Sequence, residues 1–403
     1  MGKLAGAGRV LRDGWLLLGM VILLFCALEG GLSLLVRIKR GVSRSKPDVD
    51  WRIHADVYGD RSWVEEYYRE FRASDAVFWR PYVYWRRGPY HGQYINVDTS
   101  GLRRTIPDRS QPGRSVRIFM FGGSALWGTG ARDAFTIPSI LARELQSRGL
   151  DAEVVNFGEA GYVSTQEVIA LLLRLQKGDT PDLVIFYDGV NDVYSAYQQH
   201  AAGLPQNEFN RVKEFNLSAD LPALRLPVFR DMANKLATVQ VASSLLQRAG
   251  FRTQPEPRPP MGGGASGQDV GNAYSANLDL LRALSEHYNF KCLSYWQPTI
   301  FQKASLTRYE RAEREKARTF EPFFREAYAA IGRSRLTQGH QPLVHDLSRM
   351  FADVPEPVFV DWVHLGESGN EVVARRMAND VMGLLAPAPA APGAAPRTKR
   401  GVG

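Results

Sequence analysis

Apolar positions change rhythm along this chain. Trp15 to Val36 reads WLLLGMVILLFCALEGGLSLLV, and a run of about 20 apolar residues is long enough to cross a bilayer as a helix. A cleavable signal peptide carries a shorter apolar core and a small-residue cleavage site. Here Glu29 and then Arg37, Lys39, Arg40, Arg44 and Lys46 follow instead, so residues 1–46 are read as an uncleaved anchor with a basic flank. Glu29 would sit near the interface, or pair with Arg37 or with another protein's helix.

From Val116 the pattern becomes strand, loop, helix. VRIFMF (116–121), EVVNF (153–157), DLVIFY (182–187) and KCLSYW (291–296) are short, nearly continuous apolar runs. Between and after them, helices are predicted over 134–148, 164–177, 269–288, 305–335 and 367–385. Apolar strands alternating with helices predict a parallel sheet covered on both faces. This α/β domain spans 115–385 and is interrupted by an insertion, 200–267. The insertion ends in QPEPRPPMGGGASG, which reads as a flexible loop. Residues 47–114 are rich in Trp, Tyr and Arg and read as a small packed subdomain leading into the core. Some of those rings are also candidates to line a carbohydrate groove. Residues 386–403 are low in complexity and predict a disordered tail.

The 403 residues are 44% hydrophobic, enough for a large core, and the formal net charge is +8. Much of that excess lies beside the apolar run and in the tail, as membrane-flanking and solvated charge. No basic face with interleaved aromatics marks a nucleic-acid module. The two cysteines, Cys26 in the apolar run and Cys292 in a strand, do not suit a mutual disulfide, and no Cys/His spacing reads as a zinc site. The positive-inside rule alone would keep the C-terminal domain in the cytoplasm. The bias is small, however, and large domains translocate despite flanking charge, so export is the expectation.

In open parallel sheets, sites gather at the carboxyl ends of strands. Four motifs fall on or near such loops. In FGGSALWG (121–128), Gly122 and Gly123 turn the chain and present Ser124, whose plainer role would be to cap the next helix. It is not the G-x-S-x-G elbow, because Leu126 stands where that motif needs Gly. In NFGEAGY (156–162), Gly161 lets a backbone N–H approach a substrate. In YDGVND (187–192), Asn191 offers an amide donor, and Asp192 caps the next helix or holds Asn191. In VDWVHLG (360–366), the spacing of Asp361 and His364 lets the carboxylate orient the imidazole toward a serine. A rival pair, His345 and Asp346, lies on a strand where neighbours face opposite ways. Trp127, Tyr162, Tyr187 and Trp362 flank the motifs as packing rings that together make an aromatic-lined pocket plausible.

The ordered set resembles the SGNH (GDSL-type) hydrolase family, with Ser124, Gly161, Asn191 and the Asp361/His364 pair in its four blocks over about residues 116–385. Gly123 departs from the Gly-Asp-Ser form that many members have. The Gly-Gly-Ser block, the anchor and the Tyr-rich preface look more like bacterial envelope members acting on acylated glycans than like lipases. The resemblance implies a flavodoxin-like three-layer α/β/α sandwich with a mostly parallel sheet. It implies Ser124 as nucleophile, His364 as general base, Asp361 as its orienter, and an oxyanion hole from the Ser124 N–H, the Gly161 N–H and the Asn191 amide, with no metal or cofactor. A serine esterase removing a small acyl group such as acetyl from a carbohydrate is expected. An O-acyltransferase with the same residues is the alternative, and a non-catalytic glycan-binding scaffold the second.

Overall fold

The computed structural model describes residues 2–43, 49–107, 115–219, 233–248, 264–334, 336–337 and 344–385. The tail 386–403, most of the Pro/Gly loop and the basic residues Arg44 and Lys46 lie outside them. The chain forms two compact units, one of residues 1–50 with 207–261, the other of 51–206 with 262–403.

The larger unit is built on five strands: β5 (Val116–Gly122), β6 (Ala152–Asn156), β7 (Leu183–Asp188), β8 (Lys291–Trp296) and β9 (His345–Asp346). Their order across the sheet is β6-β5-β7-β8-β9, and every pairing is parallel. Counted from β5, that is the 2-1-3-4-5 order of flavodoxin-like folds. Helices Ile137–Ser147 and Glu367–Leu385 pack together as one layer, while Ser164–Leu175, Val190–Gln199, Gly267–Tyr288 and Glu321–Arg333 pack as the other. Two helical layers explain why β7 is buried at every position and so reads as an uninterrupted apolar run.

The single helix expected over 305–335 is two, Arg308–Lys316 and Glu321–Arg333. Pro322 is the reason. Its ring clashes with the carbonyl four residues earlier, so it suits a first helical turn and not an interior.

Ahead of the sheet, residues 51–107 supply a 3-10 turn (Trp51–His54), a helix (Val64–Ala73) and two hairpins, β1 (Val77–Arg80) with β2 (Tyr84–Arg87) and β3 (Tyr90–His91) with β4 (Asn96–Val97). Their apolar side chains form a second core of Tyr58, Trp63, Tyr67, Tyr68 and Ile95, which also takes in Trp127 and Val360 from the sheet domain. The segment therefore belongs to the larger unit and reaches two of the motif loops. Trp127 is sandwiched between the guanidinium groups of Arg87 and Arg103, 4.2 and 4.3 Å from its ring centre.

In the smaller unit, one helix runs from Gly2 to Ser43. Its stretch Asp13–Ile38 is long and apolar enough to span a membrane, with a mean hydropathy of 2.2; a signal sequence meets the same description. Glu29 on this helix accepts the backbone N–H groups of Ala237 and Thr238, which open the helix Ala237–Arg248. Among the described residues, its acceptor oxygens thus meet a segment of its own chain.

Candidate active site

The β5 and β7 loops leave the sheet at its switch point, where the connections diverge and a crevice forms. After β5, Gly123 takes the N-cap position and Ser124 opens the short helix Ser124–Trp127. Ser124 is therefore not a cap. Its Oγ lies 2.7 Å from His364 Nε2, and His364 Nδ1 lies 2.7 Å from Asp361 Oδ2. The other carboxylate oxygen of Asp361 accepts the backbone N–H groups of Val363 (3.0 Å) and His364 (2.9 Å). These bonds use both oxygens and fix the rotamer that faces the imidazole.

The loop carrying this pair is held from outside. Buried Glu310, paired with buried Lys303 at 2.9 Å, accepts the N–H groups of Val358 and Phe359. Within the loop, Val360 N–H donates to the His364 carbonyl. Arg52, from the turn that begins the larger unit, stands 3.6 Å from Asp361 Oδ2. Burial by itself would raise the Asp361 pKa; the His364 charge and hydrogen bonds, with Arg52 behind them, hold it well below the usual carboxylate range.

The expected donors lie alongside. Gly161, at φ +77°, turns the loop after β6 in a conformation that side chains resist. The Asn191 amide gives one N–H to the Tyr162 carbonyl at 2.8 Å and accepts Gln206 Nε2 at 3.3 Å. A primary amide has a second N–H, and Asn191 Nδ2 lies beside Gly123, where a Cβ on Gly123 would sit 2.1 Å away. That contact is a physical reason for Gly123 in this chain: an Asp there would displace the amide.

Asp192 lies within the first turn of the helix Val190–Gln199, whose N-cap is Gly189; it accepts the Gly189 N–H, while Asn191 is held by Tyr162 and Gln206. Asp192 Oδ1 also accepts Ser164 N and Oγ, at 3.1 and 2.6 Å. It therefore links the helix that carries Asn191 to the one that follows Gly161. Below it lie buried Asp188 and Glu167. Burial pushes the Asp188 pKa up to about 7, helped by the Asp192 charge and opposed by hydrogen bonds from Glu167 and Tyr274. Glu167 is likewise raised, by burial and then by Asp188.

The aromatic pocket expected from Trp127, Tyr162, Tyr187 and Trp362 does not form as such. The first three are fully buried, and only Trp362 keeps partial exposure, packed on Phe320 with ring centres 4.7 Å apart. The ring beside Gly161 is Trp85, whose Nε1–H donates to the Ala160 carbonyl at 2.9 Å. His345 stacks on Tyr295 and faces Asp380 rather than Asp346. Arg52, Gln206 and Trp85 were not singled out from sequence. Only the Trp/Tyr/Arg density of 47–114 hinted at two of them. A cavity of about 450 Å³ lies apart from this site, between Asn96–Thr105 and the β6 edge. Among the described residues, no cluster of His, Cys, Asp and Glu is arranged to hold a metal.

The family model for GDSL-like lipase/acylhydrolase matches residues 118–377. None of the curated proteins is a significant sequence match. Among solved structures, the chain is similar to the acetyl xylan esterase AlAXEase (16% identity, 66% of this chain, 100% of that one, TM-score 0.32). It is similar as well to a member of the lipolytic G-D-S-L family from Veillonella parvula (12% identity, 67% and 100%, TM-score 0.37). A third is an acetylxylan esterase from Geobacillus stearothermophilus (16% identity, 67% and 95%, TM-score 0.33).

Proposed function

The chain belongs to the GDSL-like lipase/acylhydrolase family and so to the ester-bond hydrolases, and on that premise we propose that Ser124, His364 and Asp361 are its catalytic triad. The reading is carried by the two 2.7 Å hydrogen bonds that join Ser124 Oγ to Asp361 through His364. Ser124 Oγ attacks the ester carbonyl while His364 Nε2 takes its proton. The tetrahedral oxyanion is held by the Ser124 and Gly161 N–H groups and by Asn191 Nδ2. His364 returns the proton to the leaving alcohol, then activates a water that releases the acid from the acyl-serine. Asp361 keeps the imidazole in the right tautomer and stabilises its charged form. The substrate is a small acyl ester, acetyl above all, on an exported or cell-envelope carbohydrate, with the apolar helix anchoring the enzyme and the larger unit outside the cytoplasm. The half-buried Trp85 ring beside Gly161 supports a carbohydrate over a lipid chain.

The test is fluorophosphonate labelling of the full chain in detergent, followed by acetate release from p-nitrophenyl acetate. Labelling and turnover that vanish in Ser124→Ala are expected; an equally labelled variant removes Ser124 as nucleophile. Turnover that appears only with a glycan acceptor would make the enzyme a transferase. A reporter fused after Ser43 should be active only outside the cytoplasm, and cytoplasmic signal would reverse the orientation.

A further inference from the structure

The hairpin β1–β2 projects from the larger unit with all four β1 residues exposed. Phe78, Trp79 and Tyr82 are 55%, 64% and 72% exposed. Clustered exposed rings of this kind call for an explanation that single exposed residues do not.

Of these, Trp79 shares its face with two further rings that are half-buried, Tyr84 and Trp85. Trp79 pairs with Trp85 across the strands, so both side chains point the same way. Tyr84 neighbours Trp85 and should point the other way. Its φ of +73° breaks the alternation and brings its ring between the other two. Trp79 and Tyr84 lie 5.3 Å apart at 28°, Tyr84 and Trp85 6.5 Å apart at 26°. Those separations exceed the roughly 3.5–4 Å of van der Waals contact, so each ring is displaced sideways from the next. The second core differs: Tyr58–Trp63, Trp63–Tyr67 and Tyr67–Tyr68 meet edge to face at 82–85°. A non-glycine residue at positive φ costs on the order of 1–3 kcal/mol and persists where the surroundings impose it.

The run ends at the catalytic loop. Trp85 donates to the Ala160 carbonyl, Tyr162 Oη–H donates to the Trp85 carbonyl, and Gln166 Nε2 donates to the Val83 carbonyl at 2.8 Å. A Cβ on Gly161 would stand 3.5 Å from the Trp85 ring. Tyr162 meets Trp85 edge to face at 5.5 Å.

Building on the carbohydrate-ester reading above, we propose that Trp79, Tyr84 and Trp85 form a saccharide subsite that seats the sugar units flanking the reacting ester. Sugar rings carry an apolar face of C–H bonds that stacks on an aromatic ring, while their hydroxyls stay in water or reach polar groups at the rim. Displaced, nearly parallel rings in a row suit consecutive units of one glycan chain, and the row's attachment to the Gly161 loop puts one end of that chain at Ser124.

Binding separates this proposal from catalysis. The full chain in detergent, carrying Ser124→Ala, would be titrated with oligosaccharides of one to six units, neutral, amino-sugar and uronic-acid series, each partly acetylated and unacetylated, by tryptophan fluorescence and calorimetry. Affinity that rises at least tenfold between one and three or four units in one series is expected. Trp79→Ala should remove the gain with length, and Trp79→Phe should restore most of it; the exposure of Trp79 keeps both variants folded, which circular dichroism checks. No binding in any series, or a gain with length that survives Trp79→Ala, overturns the subsite. So does loss of binding to phosphatidylcholine/phosphatidylglycerol vesicles in Trp79→Ala with glycan affinity unchanged, which would make the hairpin a membrane contact. Length-dependent binding without ester turnover by the parent chain would uphold the subsite and refute the esterase reading.

Discussion

Arg52 puts a positive charge 3.6 Å from Asp361 Oδ2, so at the scale of single residues the proposed triad has a fourth neighbour. The guanidinium offsets part of the carboxylate's charge and helps to hold it ionised. Asp361→Asn should cost about 10⁴-fold in kcat with little change in KM, because the imidazole then loses its tautomer; single-turnover acylation rates check it. Gly123→Ala drives a Cβ to within 2.1 Å of Asn191 Nδ2. The nearest atom is a side-chain end, so the fold should survive while kcat falls about 10²-fold, the cost of one oxyanion donor. An active Gly123→Ala would remove the Asn191 amide from the mechanism.

At the scale of elements, strand ends and helix starts carry the buried charge. Asp188 closes β7 with its pKa raised from an ordinary 3.8 to about 7. A carboxyl with a raised folded pKa is neutral in the fold while the unfolded chain is already ionised. Its penalty is therefore absent below about pH 4, grows as pH rises, and is complete above about pH 7. Asp188→Asn should raise Tm at pH 8 and leave it unchanged at pH 4. Equal Tm values at both pH values would show that Asp188 is not neutral in the fold. In the smaller unit, Glu29 supplies the acceptor at the start of helix Ala237–Arg248. Glu29→Ala should speed amide exchange over 237–248 in detergent, and unchanged protection would dismiss the cap. The helices were legible because their apolar spacing is local: Glu367–Leu385 falls where the pattern put it. The break after Lys316 was legible too, in Pro322, but the charged run on either side masked it.

Over the whole molecule, the sheet order β6-β5-β7-β8-β9 gathers blocks that are far apart in sequence at one crevice. The sequence by itself determined the strands of the parallel sheet, the fold class and the residues that carry reactive groups. Strand and helix periods are set by neighbours a few positions away, and Ser124, Gly161, Asn191, Asp361 and His364 stand at strand ends or on one short loop with recognisable spacing. Only the tertiary structure decided which groups surround them. Trp127 became a buried ring clamped by Arg87 and Arg103, whereas Trp79 stayed in solvent. Arg52 met Asp361, Asp192 met Ser164, and Glu29 met Ala237. Periodicity tells which way a side chain faces along its own element. It says nothing about which distant segment packs there, and burial, pairing and pKa all depend on that second fact.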